Sequence, residues 1–236
     1  MKVISTKKNL PVVLSYIRKA SHLHSDVICF PECSFNADVR KPSLEEDLLP
    51  IQKESKKGNI SVVVNGYFRE KDGNIYNRTY FIDNQGKILG CYDKIHPWAN
   101  EIDKVKRGKT VKVINTPLGK IGFCTCWDLF FPDLFKKLKH KGAEIIFCPS
   151  YWIDNLKEEA EFLIAIPVVL SYQYMLFFVY CNAFFKGKPS VSQVSAPWGE
   201  LAEIKEKRGM AIATLNPQKL KRFRRHLSGA FWGRKL

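Results

Sequence analysis

The stretch GKIGFCTCWDLFFPDLFKKLKHKGAEIIFC, residues 119 to 148, predicts a strand, a helix and a second strand in succession. The apolar runs KIGFC and AEIIFC are typical of buried strands. Pro132 suits the first position of the helix between them, and Gly142 suits the position just after its end. A helix that connects two buried strands is the unit from which α/β sheets are built, so this stretch predicts an α/β protein.

Outward from this stretch, strands and helices continue to alternate. Apolar spacing predicts a helix at 8–22 and a short strand at 26–30. The sequence DNQG at 83–86 predicts a hairpin turn, since Asn and Gly tolerate positive φ. We predict further strands at 60–68, 75–83, 87–93, 111–116 and 120–127, a helix at about 156–174, and strands near 176–182, 191–196, 201–204 and 209–215. Hairpins that alternate with helix crossovers favour a layered protein with mixed sheets.

The chain is strongly basic, with 236 residues and a formal net charge of +15. Its length allows one large domain or two small ones. Lysines are scattered, with local clusters at 136–141 and 219–226. Such a charge is also the footprint of a nucleic-acid binder, but no recognised binding motif accompanies it. We interpret it as a solvated surface with a basic tail from about 217, and nucleic-acid binding as the alternative.

Seven cysteines, an odd number mostly within apolar runs, favour a reducing cytoplasm. Nothing at the N-terminus resembles a secretory segment. Cys124 and Cys126 lack the spacing of a zinc site, so we expect no metal. The uncharged run at 162–180 is long enough to suggest a membrane span, but Pro167 interrupts it, and we expect a helix followed by a buried strand.

Position along the strand separates Cys124 from Cys126. Strand alternation would place both on one face, so periodicity cannot choose between them. We expect Cys124 inside the strand as a small buried hydrophobe. Cys126 is expected at the carboxyl end of the strand, where α/β folds commonly bind ligands.

Two charged residues follow other strands in the same way, Glu32 after the strand at 26–30 and Lys94 after the strand at 87–93. Each alone is usually a surface residue. A nucleophilic cysteine needs a neighbouring base and a cation, because a free thiol is mostly protonated at neutral pH. Glu32, Lys94 and Cys126 are therefore candidates for one site.

Three segments resemble motifs of the carbon-nitrogen hydrolase, or nitrilase, superfamily. DVICFPE (26–32) resembles its glutamate segment, NIYNRTYFIDNQGKILGCYDKIHPW (74–98) its lysine segment, and residues 119–152 its nucleophile segment. The resemblance implies a single domain over 1–236 with an α/β fold, a four-layer αββα sandwich of two mixed β-sheets. Because only MKVISTK precedes the first helix, we expect the N-terminal strand of the family to be missing or shortened.

The resemblance also implies roles for residues. Cys126 is the nucleophile, Glu32 the general base, Lys94 the oxyanion stabiliser and Glu101 a positioning carboxylate. Lys94 and the backbone N–H of Trp127 would hold the developing negative oxygen. This chemistry requires no metal or organic cofactor.

Two residues near Lys94 and Cys126 in the sequence, His96 and Asp128, have alternative interpretations. His96 is an alternative base, although Glu32 already fills that role. Asp128 is expected to accept local backbone hydrogen bonds. In the amidase branches of the family Asp usually follows the Cys-Trp pair, whereas nitrilases have Glu. The resemblance therefore implies a small amide or carbamoyl substrate, with a nitrilase as one alternative and a catalytically silent scaffold as another.

The C-terminal half departs from the family pattern. The Arg-Ala-x-Glu-Asn helix motif of the family is replaced here by Leu170, Ser171, Tyr172, Gln173 and Tyr174. The tail RFRRHLSGAFWGRKL is more apolar than a free tail needs, and exposed apolar clusters often mark interfaces. With the family resemblance, this predicts a homodimer or larger oligomer whose tail contacts the partner; the apolar residues concerned are Phe223, Leu227, Phe231 and Trp232.

Overall fold

Two mixed β-sheets form the centre of the fold. The computed structural model describes residues 6–152, 158–188 and 190–227. The first sheet has the order β1-β2-β3-β4, with strands Val27–Cys29 (β1), Ser61–Arg69 (β2), Ile75–Ile82 (β3) and Ile88–Asp93 (β4). The second has the order β10-β9-β8-β7-β6-β5, with strands Val113–Thr116 (β5), Gly119–Phe123 (β6), Ile145–Ser150 (β7), Phe177–Asn182 (β8), Val191–Ala196 (β9) and Gly199–Lys205 (β10).

Strand direction groups the carboxyl ends of several strands. In the first sheet β1 is parallel to β2, and β3 is antiparallel to both β2 and β4, so β1, β2 and β4 run the same way. In the second sheet β6, β7 and β8 are parallel. The loops that follow β1 and β4 therefore leave one edge of the first sheet together, as do those after β6 and β7 in the second.

Four of the five α-helices in the described residues cover the outer faces of the sheets, and Leu220 of the fifth packs between the sheets. The helices are Thr6–His22 (α1), Leu49–Gly58 (α2), Pro132–His140 (α3), Glu158–Tyr174 (α4) and Pro217–Leu227 (α5). Alternate strand residues face opposite ways. Val63, Phe81 and Phe147 pack between the sheets, whereas Val62 packs on the side of α1 and α2 and Cys148 on the side of α3 and α4. The predicted four-layer αββα sandwich is thereby confirmed.

The structure corrects three expectations from the sequence. Helix α2 at Leu49–Gly58 was missed. The strand predicted at 209–215 is wrong, since no strand is assigned there and no described strand lies beside it to complete a ladder. The basic tail is helical from Pro217 to Leu227, and it is held by Arg224, whose side chain donates to the carbonyl oxygens of Met175 at 2.7 Å and Ala143 at 3.1 Å.

The apolar run at 162–180 is divided as expected between a helix and a strand. Helix α4 ends at Tyr174, Met175 adopts a positive φ of 52°, and β8 begins at Phe177. Among the described residues, no helix is both long and apolar enough to cross a membrane. The expected loss of an N-terminal strand concerns residues 1–5, which lie outside the described residues, and the single domain over 1–236 stays a prediction.

Candidate active site

The candidate catalytic residues lie just beyond the carboxyl ends of strands, as position predicted. Glu32 follows β1, Lys94 follows β4 directly, and Cys126 follows β6 as the first residue of a 3₁₀ helix, Cys126–Phe130. Cys126 has a φ of 47°, the left-handed region that non-glycine residues seldom adopt. A conformation of this kind costs on the order of 1–3 kcal/mol and is typical of functional sites.

This backbone turn separates the two cysteines, so the expectation that both share one face is wrong. Strand β6 already ends at Phe123. Cys124 continues its alternation and packs, fully buried, into the cluster beneath α3 and α4. Cys126 leaves that alternation, and its thiol lies near Glu32, whose charge raises the pKa of the thiol. A strand pattern assumes extended backbone and cannot detect a left-handed residue.

Glu32, Lys94 and Glu101 form a buried ion cluster. The Nζ of Lys94 lies 2.8 Å from Oε1 of Glu32 and 2.8 Å from Oε2 of Glu101. The three residues are between 2% and 5% exposed, so water screens their charges poorly. The structure therefore brings together all three charged residues that the sequence analysis selected.

Asn77 on β3 completes the cluster, and the sequence analysis missed it. Its Nδ2 donates to Oε1 of Glu32 and to Oε1 of Glu101, at 2.7 Å in each case. Its Oδ1 accepts from Asn65 at 2.8 Å, which fixes the orientation of the amide. Tyr67 adds a hydrogen bond to Oε1 of Glu101 at 3.0 Å. Asn77 stands beside the polar residues Arg78 and Thr79 in β3, so no local signal marked it, although it lies in the segment already selected for Lys94.

Burial and charge perturb the ionisation of the cluster. Burial raises the pKa of Glu32 above its ordinary value, although Lys94 opposes the shift. Burial alone would lower the pKa of Lys94, but the charges of Glu32 and Glu101 outweigh it and raise that pKa. For Glu101, the charge of Lys94 and hydrogen bonds from Lys94, Asn77 and the Trp98 N–H overcome burial and lower the pKa.

The surroundings of Cys126 favour the neutral thiol over the thiolate. Burial and the negative charge of Glu32 raise the pKa of Cys126 well above its ordinary value, and Lys94 offsets only part of the shift. A backbone hydrogen bond from Tyr151 also favours the thiolate. The site therefore holds a thiol beside a carboxylate that can accept its proton, and not a preformed thiolate.

His96 does not belong to this cluster. Its Nδ1 lies 2.7 Å from Oδ1 of Asp128, and its ring stacks on Phe131 with centroids 3.5 Å apart. The fully buried Asp128 also accepts from the hydroxyl of Tyr92 at 2.7 Å and from the N–H of Thr125 at 2.9 Å. Asp128 thus binds the segment after Lys94 to the segment that carries Cys126, which agrees with the role expected for it.

Three tryptophans surround the site. Trp98 donates its backbone N–H to Glu101 at 2.8 Å, and Trp127 follows Cys126. The ring centroids of Trp98 and Trp127 are 4.3 Å apart, and those of Trp127 and Trp152 are 6.0 Å apart. The backbone N–H of Trp152 donates to Oδ1 of Asn182, at the end of β8, at 2.8 Å. An apolar aromatic wall therefore adjoins the ion cluster.

Other features singled out in the sequence lie away from the site. Leu170 packs into the cluster beneath α4, and Gln173 is exposed on the same helix. Phe231 and Trp232 of the tail lie outside the described residues. Within 6–152, 158–188 and 190–227, no group of three or more His, Cys, Asp or Glu could hold a metal ion.

The sequence model of the carbon-nitrogen hydrolase family matches residues 2–225 of this chain. The chain belongs to the carbon-nitrogen hydrolase family. Among relatives of this chain, a Bacillus subtilis protein named probable hydrolase YhcX is 33% identical over 165 residues, 63% of this chain and 32% of that protein. The deaminated glutathione amidase of Mus musculus is 26% identical over 250 residues, 94% of this chain and 77% of that protein. The chain thus spans about a third of the first relative and three quarters of the second.

Solved structures of the family share the fold. Saccharomyces cerevisiae Nit3, a member of branch 10 of the nitrilase superfamily, superposes with a TM-score of 0.87 at 20% identity over 98% of this chain and 92% of that chain. An amidase from Nesterenkonia sp. AN1 superposes with a TM-score of 0.82 at 16% identity over 97% of this chain and 94% of that chain. In that structure acrylamide has added to the active-site cysteine of the amidase.

Proposed function

We propose that the chain hydrolyses the carbon-nitrogen bond of an amide or carbamoyl amine, with Cys126 as nucleophile and Glu32 as general base. The observation that carries this proposal is the position of the Cys126 thiol beside Glu32, which raises the pKa of the thiol, at a buried cluster in which Lys94 lies 2.8 Å from Glu32. A buried Lys, two carboxylates and a strained cysteine serve no evident purpose in packing. Their shared location is typical of a site for acyl transfer.

Proton transfer to Glu32 begins the proposed reaction. Glu32 takes the proton of the Cys126 thiol as the sulfur attacks the carbonyl carbon of the substrate. The new S–C bond converts the carbonyl oxygen into an oxyanion. Lys94 and the backbone N–H of Trp127 stabilise that oxygen; Trp127 is in the first turn of its 3₁₀ helix, where N–H groups have no acceptor within the helix.

Release of the amine and water attack complete the cycle. Glu32 returns the proton to the nitrogen, the C–N bond breaks, and ammonia or an amine leaves a thioester on Cys126. Glu32 then deprotonates a water that attacks the thioester, and the carboxylic acid and the free thiol are released. Glu101 and Asn77 hold Glu32 and Lys94 in place through both halves of the reaction.

Two observations favour an amide over a nitrile. Asp128 follows the Cys-Trp pair, as in the amidase branches that the sequence resembles. Relatives named deaminated glutathione amidase, including the one of Mus musculus, also act on amides according to their names. A nitrilase remains the alternative. A catalytically silent scaffold and a nucleic-acid-associated protein are two further alternatives. Absence of both amide and nitrile hydrolysis would favour them.

We also propose that two copies of the chain associate through α4. This helix is apolar on both faces: Leu163 and Leu170 are buried, while Phe162, Val169 and Tyr172 are 42%, 56% and 47% exposed. A helix that is apolar all round is usually buried on both sides. The exposed residues recur at intervals of seven and three, so they form one stripe that a second copy can cover. The reducing cytoplasm remains the location that we propose.

A substrate panel tests the proposed activity. Ammonia release is measured with butyramide, a carbamoyl amine and butyronitrile for the wild type, Cys126→Ala and Cys124→Ala. We expect turnover of the amide or carbamoyl amine, no turnover by Cys126→Ala, and near-normal turnover by Cys124→Ala. Faster release from the nitrile, or release that survives in Cys126→Ala, contradicts the proposal.

A further inference from the structure

Two cysteines outside the catalytic cluster meet between the sheets. Cys29 ends β1 of the first sheet, and Cys181 is the penultimate residue of β8 in the second. The Sγ of Cys181 donates to the carbonyl oxygen of Cys29 at 3.2 Å, and the Cys181 thiol is near enough to the Cys29 thiol to raise its pKa. Both are free and half-buried. The pair is therefore in contact although 152 positions separate the two residues in the chain.

Both thiols line a cavity that reaches the surface. The cavity measures about 560 Å³ and has a largely apolar wall that includes Phe30, Phe177 and Val179. Its lining also includes Leu23 and Ile212, which are 50% and 54% exposed. Glu32, Lys94 and Cys126 are not part of this lining. A small neutral molecule can thus reach the cysteine pair without passing through the catalytic cluster.

A second cysteine pair provides an internal comparison. The thiol of Cys148 likewise lies near that of Cys124 and raises its pKa, but both residues are fully buried beneath α3 and α4. The two pairs have similar thiol contacts and differ in access. Access to the cavity is therefore what distinguishes Cys29 and Cys181.

We propose that Cys29 and Cys181 form a modification site, a dithiol that a small hydroperoxide oxidises to an intramolecular disulfide. One sulfur attacks the peroxide, breaks its O–O bond and becomes a sulfenic acid, and water leaves when hydrogen peroxide is the oxidant. The other thiol then attacks the sulfenic sulfur, so that the S–S bond forms and a second water is released. Two electrons pass from the two sulfurs to the peroxide. No further co-reactant is needed.

Proximity, and not a reactive thiolate, drives this reaction. Burial and the neighbouring thiol raise the pKa of Cys29 well above its ordinary value. We therefore expect the first step to be slower than that of an exposed thiol. Once a sulfenic acid has formed, the second thiol is already in contact with it, so closure of the disulfide is expected to be fast.

The disulfide would join two strands that lead into the candidate active site. Three residues after Cys29 the chain reaches Glu32, and Cys181 is followed by Asn182, which holds Trp152. A displacement of about 1 Å in a catalytic group can lower activity a hundredfold. Oxidation is thus expected to lower turnover at least several-fold, an effect that rests on the proposed function. Formation of the bond does not rest on it.

Peptide mapping after peroxide treatment tests the site. A Cys126→Ala background prevents the nucleophile from consuming peroxide. We expect a disulfide between tryptic peptides 20–40 and 158–186, with fragment spectra assigning it to Cys29 and not Cys33, and no bond between Cys124 and Cys148. Closing so long a loop is expected to raise the melting temperature by at least about 5 °C, reversibly with dithiothreitol.

Matched variants decide the outcome. Cys29→Ser and Cys181→Ser should each abolish the linked peptide and the temperature shift, whereas Cys91→Ser, which removes another half-buried free thiol, should keep both. A shift that survives in Cys29→Ser overturns the proposal. So does oxidation of other cysteines to higher acids while Cys29 and Cys181 stay reduced. If the disulfide forms but wild-type turnover is unchanged, the link to the active site is wrong.

Discussion

Replacement of Asn77 by alanine tests whether the neutral amide sets the ionisation of the catalytic base. Asn77 donates to one oxygen of Glu32 and one of Glu101, at 2.7 Å each. A donor to an ionised carboxylate favours the charged form and lowers its pKa. Without this donor, the already raised pKa of Glu32 rises further. The proposed reaction needs ionised Glu32. As the pH is lowered, Asn77→Ala should therefore lose activity at a higher pH than the wild type does.

The size of the shift follows from the strength of one charge-assisted hydrogen bond. Such bonds contribute about 1.5–3 kcal/mol. One pKa unit corresponds to about 1.4 kcal/mol. We expect the acid limb of kcat/KM to move upward by about one pH unit, since Lys94 still stabilises the carboxylate. We also expect a 10- to 100-fold loss of kcat/KM at neutral pH, since a displaced catalytic group lowers the rate by factors of this order.

The assay measures ammonia release as a function of pH from an amide that the wild type hydrolyses, and folding is checked at each pH. Ser55→Ala is the control, because its buried hydroxyl oxygen lies 2.6 Å from the carbonyl oxygens of both Ile60 and Asp83, away from the site, and its one proton is shared between them. This variant should lose stability without a shift of the acid limb. An unchanged acid limb in folded Asn77→Ala would refute the idea that Asn77 tunes Glu32.

Iodoacetamide should label Cys126 before Cys124, because Glu32 can accept the Cys126 proton whereas Cys124 is fully buried. Peptide mapping with fragment spectra measures the order of labelling. Faster labelling of Cys124, or an unchanged rate of Cys126 labelling in Glu32→Gln, would contradict this prediction. Light scattering at micromolar concentration should detect a dimer or larger species that Val169→Lys weakens, and a monodisperse 27.2 kDa wild-type species is incompatible with the α4 interface. Arg224→Ala should destabilise the fold by about 1–3 kcal/mol in urea titrations, because two carbonyl acceptors lose a charged donor. It should also raise the pKa of Lys139, which burial and Arg224 together lower to about 8, and an unchanged NMR titration of Lys139 would argue against that coupling.

The parts of the fold predicted from sequence are those whose residues repeat a local pattern. The strand, helix and strand at 119–148 carry Pro132 and Gly142 at the helix ends, and the structure places α3 at Pro132–His140 with Gly142 at a positive φ of 84°. The hairpin at 83–86 likewise turns at Gly86, with a φ of 78°. Such signals act over a few residues, so a single sequence contains them.

The errors arose where distant residues decide the structure. The alternating segment 209–215 reads as a strand, but a strand also needs a neighbour, which its own sequence cannot supply. The tail from 217 reads as a solvated basic segment because eleven residues of α5 include six Lys, Arg or His. Its packing depends on Arg224 reaching carbonyl oxygens at the ends of other elements.

For the site, position predicted Glu32 and Lys94, the family resemblance added Glu101, and both missed the neutral Asn77. Glu32, Lys94 and Cys126 each follow a strand, and this common position is visible in the sequence. Asn77 lies within β3. Nothing in the local sequence distinguishes a buried amide with a function from one that only makes hydrogen bonds within the sheet. Its role became visible only when Glu32 and Glu101 were found on either side of its Nδ2.

The central claim is that Cys126 attacks the substrate and carries its acyl group. The most direct measurement is the mass of the wild-type protein, quenched in acid during turnover of butyramide, followed by fragment spectra of tryptic peptide 121–136. We expect a butyryl group bound as a thioester to Cys126, present in Cys124→Ala and absent in Cys126→Ala. Turnover with the acyl group on any other residue, or an adduct that persists in Cys126→Ala, would contradict it.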